Sequence, residues 1–244
     1  MRIFCFLLII ILIYMCMKKT LLVNGCSYGE CWTPTQNFIE DLGCDNAVNV
    51  SKYATSFQRT CRSTIEWIAQ NGNPEFVVVP VTFAHRWELA ISDNEDQIDG
   101  SWFPLQRKEL LDAYSDQLHR DVDINKLKLM IDLYYGSIPT IKTYWDKLFS
   151  EVIMLSAFLE SKKIRHLIFD MCNQFDKKHI KGYKGFDKLD LIKSNKNVID
   201  LFKFSGNRHM WQSMEQNKNV NVNTHHAPEQ YKHLENYLLT FINQ

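Results

Sequence analysis

A serine near the start of the chain and a histidine near its end stand where a nucleophile and its base would be expected. Ser27 follows the apolar run Thr20–Val23 and the turn residue Gly25, and His226 stands just before Pro228, which opens the last helical pattern. A histidine can take the proton of a serine hydroxyl because its pKa lies near neutral pH. The two residues therefore indicate nucleophilic catalysis, and the alternative is a serine that only satisfies backbone groups in a strand–turn–helix connection.

Both residues are expected at the same edge of a sheet, because short apolar runs alternate with helical patterns along the chain. This alternation is typical of βαβ units and predicts a three-layer α/β/α domain built on a parallel, flavodoxin-like sheet. Ligands of such sheets bind at the carboxyl ends of the strands. The predicted strands are residues 20–23, 47–50, 76–82 and 166–171, with a weaker fifth at 220–222.

Several helix signals separate the predicted strands. Thr33 is expected to cap a helix that has Pro34 in its first turn and Gly43 at its end. The Thr-Ser pair at 55–56 is expected to cap the next helix, and apolar residues recur at helical spacing through residues 141–155. These apolar stripes are predicted to pack in the core.

One domain is predicted over residues 18–244, with a charged, helical insertion around residues 93–139 that decorates one end of the sheet. Residues 1–17 stand apart because residues 3–17 are an unbroken apolar run, shorter than the ~20 residues of a membrane-spanning helix. Three interpretations stay open: a true start at Met17, a signal peptide or anchor, and a packed helix. The first predicts a cytoplasmic protein, and the second predicts a secreted or membrane-anchored one.

Composition excludes several classes of protein. The 28 basic and 28 acidic side chains cancel, so a nucleic-acid binder, which needs a basic surplus for phosphates, is not expected. A chain that is 45% hydrophobic can bury a core, which argues against a disordered or fibrous protein.

The seven cysteines lack paired zinc-knuckle spacing and are expected to be reduced thiols. We expect no metal and no cofactor, because the sequence has neither metal-ligand spacing nor a phosphate-binding glycine motif.

Four short blocks, in their order and spacing, resemble those of the SGNH (GDSL-like) hydrolases. The blocks are residues 25–29 (GCSYG), 49–59 (NVSKYATSFQR), 76–88 (FVVVPVTFAHRWE) and 223–228 (NTHHAP). The third block is most similar to that of phage and marine-virus members, which carry an Arg-x-Glu pair. The chain departs from the family pattern with Cys26 in place of an aspartate, Ala54 in place of a glycine, Thr82 near the position of an asparagine, and Asn223 in place of an aspartate.

The resemblance implies a serine esterase. Ser27 would attack an ester carbonyl, and His226 would take its proton and later give it to the leaving alcohol. The backbone N–H groups of Ser27 and Ala54 would face the oxyanion, together with the hydroxyl of Thr82. The substrate would be an O-acyl ester, such as an acylated glycan or a small acyl ester.

Asn223 leaves open how the histidine is oriented. An amide can hold an imidazole but does not stabilise its cation by charge, and the same replacement in a serine-protease triad lowers turnover by about 10⁴. One alternative is a Ser–His dyad, and another is an inactive domain that binds carbohydrate or protein. His225 is an alternative base. The candidate carboxylates for orienting the histidine are Glu30, Asp170 and Glu229.

Arg86 and Glu88 complete the set of candidate site residues. Two positions apart at a strand end, they share one face of the chain. They are expected to bind substrate or take part in catalysis, and a mutual ion pair is the structural alternative.

Overall fold

In the computed structural model, the described residues are 18–52, 55–84, 86–90, 102–105, 123–137, 141–170, 186–200 and 228–243. Their strands are β1 (Thr20–Val23), β2 (Asn46–Asn49), β3 (Phe76–Val81), β4 (Trp87–Ala90), β5 (Trp102–Leu105), β6 (Arg165–Asp170) and β7 (Val198–Asp200). Their helices are α1 (Ser27–Glu30), α2 (Gln36–Asp41), α3 (Phe57–Asn71), α4 (Ile124–Ser137), α5 (Ile141–Ser161), α6 (Phe186–Ser194) and α7 (Pro228–Ile242).

Five of the strands form one parallel sheet in the order β2-β1-β3-β6-β7. This is the flavodoxin-like order, in which the chain moves to one side of β1 and then returns to add strands on the other side. Val23 of β1 is in register with Asn49 of β2 and Val78 of β3. All five carboxyl ends therefore lie at one edge, called the carboxyl edge below. Strands β4 and β5 form a separate antiparallel pair.

Alternating residues of the central strands contribute to two apolar cores, one on each face of the sheet. Leu22, Val77 and Val79 pack with α3, α5 and α6 on one face. Leu21 and Val78 pack with α2 and α7 on the other face. Because strand side chains alternate with period two, strands buried on both faces are continuous apolar runs. The predicted three-layer α/β/α class is confirmed.

Most predicted strands lie within one residue of their observed positions, and the fifth does not. The fifth strand of the sheet is β7, Val198–Asp200, which the sequence analysis did not predict. The predicted strand at residues 220–222 lies outside the described residues. Only three residues of β7 are paired, one of them is the charged Asp200, and the polar residues 195–197 precede them, so the apolar signal of the strand is weak.

The cap of α2 also differs from its prediction. Thr35, not Thr33, is the N-cap, and its hydroxyl accepts a hydrogen bond from the N–H of Phe38. The predicted end of this helix is confirmed, because Leu42 is its C-cap and Gly43 follows with a φ of 75°. The predicted cap of α3 is confirmed as Ser56, whose hydroxyl accepts from the N–H of Arg59.

Candidate active site

Ser27 lies at the carboxyl edge, as the first residue of the short helix α1. The chain leaves β1 at Val23, and the N–H of Asn24 continues the ladder to the carbonyl of Val78, 3.1 Å away. Cys26, the N-cap, is extended, and its side chain makes no capping hydrogen bond. The first N–H groups of a helix have no acceptor within the helix. Ser27 therefore presents a hydroxyl and a helix-terminal N–H at the same point of the edge.

Two glycines bring this turn close to its neighbours. A Cβ atom on Gly25 would lie 2.5 Å from the Cγ of Pro80 in β3, and a Cβ atom on Gly29 would collide with the Ser51 hydroxyl. The carbonyl of Gly25 also accepts a hydrogen bond of 3.1 Å from the N–H of Lys52. Close approach is the physical reason for both glycines, and it packs the turn after β1 against β3 and the loop after β2.

Asn49, the last residue of β2, holds the end of α1. Its Nδ2 donates to the carbonyls of Gly29 (2.7 Å) and Trp32 (2.9 Å), and its Oδ1 accepts from the N–H of Ser51. The carbonyls at a helix end need hydrogen-bond donors of this kind. The sequence analysis quoted Asn49 within a block but gave it no role. A polar side chain at the last position of a strand was the available signal.

Thr82 and Arg86 follow β3, the strand next to β1. Thr82 is fully buried, and its Oγ1 lies 3.0 Å from the Nη1 of Arg86, which donates to it. The same nitrogen donates to the carbonyl of Thr55, at 3.4 Å, in the loop after β2. The guanidinium stands 5.0 Å from the ring centre of Phe83. Arg86 thus bridges the loops that follow β2 and β3.

Glu88 contributes to a charged cluster of four residues between α3, α5 and β4, called the Lys147 cluster here. Its carboxylate is 2% exposed and lies 3.3 Å from Arg62, while Lys147 lies 3.5 Å from Glu151. Burial lowers the pKa of Lys147, and burial raises the pKa of Glu151. The Lys147 ammonium also lies over the ring of Trp87 and donates to the Arg86 carbonyl.

Helix α7 is fixed to the segment that follows α1 by a buried carboxylate, Glu235. It accepts hydrogen bonds from the Nε1 of Trp32, the N–H of Thr35 and the hydroxyl of Thr35. The rings of Trp32 and Tyr231 stack with an interplanar angle of 5°. The sequence analysis did not predict this role, because the bonded residues are 200 or more positions apart.

Several predicted site residues lie outside the described residues. These are His226, Asn223, Ala54 and the alternative base His225. Their roles stay predictions. The neighbouring elements are described: α7 begins at Pro228, and Thr55 follows Ala54.

The candidate carboxylates for orienting the histidine differ in their surroundings. Asp170 is the last residue of β6, fully buried at the carboxyl edge and in register with Val81 of β3. Glu30 is exposed at the end of α1. Glu229 lies in the first turn of α7. Within the described ranges, no three His, Cys, Asp or Glu side chains are grouped to hold a metal ion.

Comparisons with known proteins find similar solved structures at low sequence identity. No protein-family model and no curated protein matches the sequence. The psychrotrophic esterase EstA from Pseudoalteromonas is similar in structure over 93% of this chain and 100% of its own, with 10% identity and a TM-score of 0.46. A GDSL-like lipase from Bacteroides thetaiotaomicron is similar over 92% of this chain and 88% of its own, with 13% identity and a TM-score of 0.43.

The helices within the described part of the chain include none that is both long and apolar enough to cross a membrane.

Proposed function

We propose that this chain is a serine-dependent ester hydrolase with Ser27 as nucleophile and His226 as general base. The observation that carries the proposal is the position of Ser27: the first residue of α1, at the carboxyl edge, packed through Gly25 against β3. The strand order reverses between β1 and β3, and ligands of open α/β sheets bind at such a reversal. Thr82 follows the other strand of this pair.

The reaction has two half-steps. The Ser27 oxygen attacks the acyl carbonyl as its proton passes to His226, and the carbonyl oxygen becomes an oxyanion. The oxyanion collapses, the bond to the alcohol breaks, and His226 gives the proton to that alcohol. Water then attacks the acyl-serine with His226 again as base, which releases the acid and restores Ser27.

Three donors are proposed for the oxyanion: the N–H groups of Ser27 and Ala54 and the hydroxyl of Thr82. Ser27 is the first residue of α1, so its N–H belongs to the helix-terminal groups that have no acceptor within the helix. Each donor of this kind is typically worth roughly 3 kcal/mol of transition-state stabilisation.

Helix α7 supports the placement of the base. His226 is two residues before its first residue, Pro228, and Glu235 bonds this helix to Trp32 and Thr35, just beyond α1. For the orienting group we propose Asn223, with Asp170 as the carboxylate alternative because it is buried at the same edge.

The substrate we propose is an O-acyl ester, such as an acylated glycan or a small acyl ester, hydrolysed in the cytoplasm. The number and spacing of the cysteines, which are expected to be reduced thiols, support this compartment. The Arg86-Trp87-Glu88 sequence after β3 supports a phage- and marine-virus-like subtype of the SGNH hydrolases. Glu88 and Arg86 are proposed to act at the acyl site, and the role of Arg86 is developed below.

Labelling with a fluorophosphonate probe tests the proposal, because such probes react only with an activated serine. Wild type is compared with Ser27→Ala and His226→Ala. Labelling is expected in wild type and lost in both variants. Matched controls are Ser51→Ala, a serine at the same edge, and His233→Ala, an exposed histidine of α7, and both should keep the label.

A folded wild type that stays unlabelled would overturn the hydrolase proposal. In that outcome, the amide of Asn223 would explain why His226 is too weak a base to activate Ser27. A domain that binds carbohydrate or protein would then be the better explanation. Loss of label in Ser51→Ala but not in Ser27→Ala would show that Ser51, and not Ser27, is the nucleophile. Circular dichroism of each variant separates loss of the site from loss of the fold.

A further inference from the structure

The Nη1 atom of Arg86 joins two loops that each carry a proposed oxyanion donor. It lies 3.0 Å from the Oγ1 of Thr82 and 3.4 Å from the carbonyl oxygen of Thr55, the residue after Ala54. These loops come from β2 and β3, which are not adjacent, because β1 lies between them. The guanidinium therefore joins loops that follow the two strands on either side of β1, the strand that leads to Ser27.

Both the backbone and the side chain of Arg86 are held in place. Its N–H donates to the carbonyl of Phe83 (3.1 Å), and its own carbonyl accepts from the Nζ of Lys147 (3.3 Å). The guanidinium also faces the ring of Phe83. A side chain fixed at both ends can impose its geometry on the groups it contacts.

The contact with Thr82 has a direction. A guanidinium only donates hydrogen bonds, so the Thr82 oxygen accepts, and the single proton of that hydroxyl must point away from Arg86. A hydroxyl that accepts from a cation is also a stronger donor, since linked hydrogen bonds polarise one another.

We propose that Arg86 is a positioning residue that assembles the oxyanion site. It orients the Thr82 hydroxyl as a donor and holds the carbonyl of Thr55, and it does so without contacting the substrate. The proposal rests on the hydrolase function above, and it replaces direct substrate binding as the role of Arg86.

A double-mutant cycle tests the proposal in the full chain. Wild type, Arg86→Met, Thr82→Ala and the double variant are assayed for kcat and KM on p-nitrophenyl acetate and on the anionic p-nitrophenyl hemisuccinate. Each single variant is expected to lower kcat by on the order of 10² on both esters, with KM unchanged. The double variant should lose far less than the product of the two single losses, because both act through one hydroxyl.

The controls separate positioning from charge and from stability. Arg165→Gln removes a half-exposed arginine at the amino end of β6 and should leave kcat unchanged. Arg86→Lys keeps the cation but loses the planar fork, so we expect an intermediate kcat. If Arg86→Met does not fold, the cycle is run with Arg86→Lys instead.

The outcomes distinguish the two proposals. If wild type hydrolyses both esters but the losses multiply, Arg86 acts independently of Thr82 and the positioning role is overturned. If KM rises only for the anionic ester, Arg86 binds substrate and the positioning role is overturned as well. If folded wild type neither hydrolyses an ester nor takes the fluorophosphonate label, the hydrolase proposal fails and the positioning role fails with it.

Discussion

The indole Nε1 of Trp32 donates a hydrogen bond of 2.9 Å to the carboxylate of Glu235, 203 residues further along the chain. Both side chains are buried, and Thr35 gives the same carboxylate two more hydrogen bonds. One residue of α7 thus satisfies three donors in the segment after α1. The contact fixes the last helix against the segment that follows α1.

Replacing Glu235 should therefore affect both stability and activity. Glu235→Ala leaves three donors without their acceptor, at a cost of about 3 kcal/mol in the free energy of unfolding. Glu235→Gln keeps one acceptor oxygen and should cost less. Urea unfolding measures the stability, and fluorophosphonate labelling of the folded protein should be slower in both variants.

Asn236→Ala is the matched control, because Asn236 is the exposed neighbour on the same helix. It should change stability by less than about 0.5 kcal/mol. A Glu235→Ala variant as stable as this control would mean that α7 is held by its apolar stripe alone.

Gly25 is predicted to be required because a residue with a side chain has no room at this position. An added Cβ would meet the Cγ and Cδ of Pro80 at 2.5 and 3.1 Å, and the ring of Pro80 is held within β3. Gly25→Ala should therefore lower the unfolding free energy by roughly 1–3 kcal/mol. It should also slow labelling of Ser27, which follows two residues later. Thermal and urea unfolding, with labelling at a temperature where both proteins are folded, provide the measurement.

Gly136 in α4 provides the opposite control. A Cβ there has no atom within 4 Å, and the residue is exposed within a helix. Gly136→Ala should stabilise the protein by about 0.5–1 kcal/mol through helix propensity. If Gly25→Ala were stabilising as well, the close approach to Pro80 could not be what holds the turn.

His166 predicts how stability depends on pH. Its Nδ1 lies 3.0 Å from the carbonyl of Ile164 and its Nε2 lies 2.8 Å from the hydroxyl of Ser156, a pattern that a neutral ring satisfies by donating and accepting. Burial lowers the pKa of His166 from its ordinary value of 6.5. As pH falls, His166 therefore binds a proton in the unfolded chain before it does so in the folded protein. The stability contributed by the neutral, buried ring is full above pH 6.5 and declines below it.

The test compares urea unfolding at pH 7.5 and pH 5.5. Wild type should lose stability over this interval, and His166→Gln should lose less, because the titrating group is gone. His233→Gln, on the exposed face of α7, should keep the wild-type slope. Equal slopes in His166→Gln and wild type would assign the pH dependence to other groups.

The sheet could be predicted from sequence wherever a strand is buried on both faces. Strands β1 and β3 are continuous apolar runs, and their buried residues alternate between the two cores. Strand β7 was missed because it has three paired residues and its burial comes from β6 and α6, which the sequence does not place.

The site was predictable only in part, because its contacts join loops far apart in sequence. Ser27 and Thr82 could be placed at the carboxyl edge from strand ends alone. The bridge from Arg86 to Thr55 could not, since it depends on how β2 and β3 flank β1. The cap of α2 was placed at Thr33 because Thr33-Pro34 is a good local signal. Thr35 caps the helix, and it is also bonded to Glu235.

For the Lys147 cluster, we predict that removing one partner of an ion pair lowers the free energy of unfolding more than removing both partners. Lys147 and Glu151 are 3.5 Å apart with side chains only 15% and 12% exposed, and the Oε2 of Glu151 has no hydrogen-bond partner in the described chain. Lys147→Met should cost roughly 3 kcal/mol, because it leaves the Glu151 carboxylate desolvated and unpaired. Lys147→Met with Glu151→Leu removes both charges and should recover most of that loss.

Urea unfolding of the single and double variants measures the difference, with Lys126→Met as the control for an exposed pair. Lys126 lies 3.8 Å from Asp123, and its side chain is 84% exposed, so its loss should change stability by less than about 1 kcal/mol. The prediction fails if the double variant is as unstable as Lys147→Met, because the cost would then lie in the lost packing of the lysine stem on Trp87. Since Lys147 also holds the Arg86 carbonyl, a stable double variant with a lower kcat would connect this cluster to the oxyanion site.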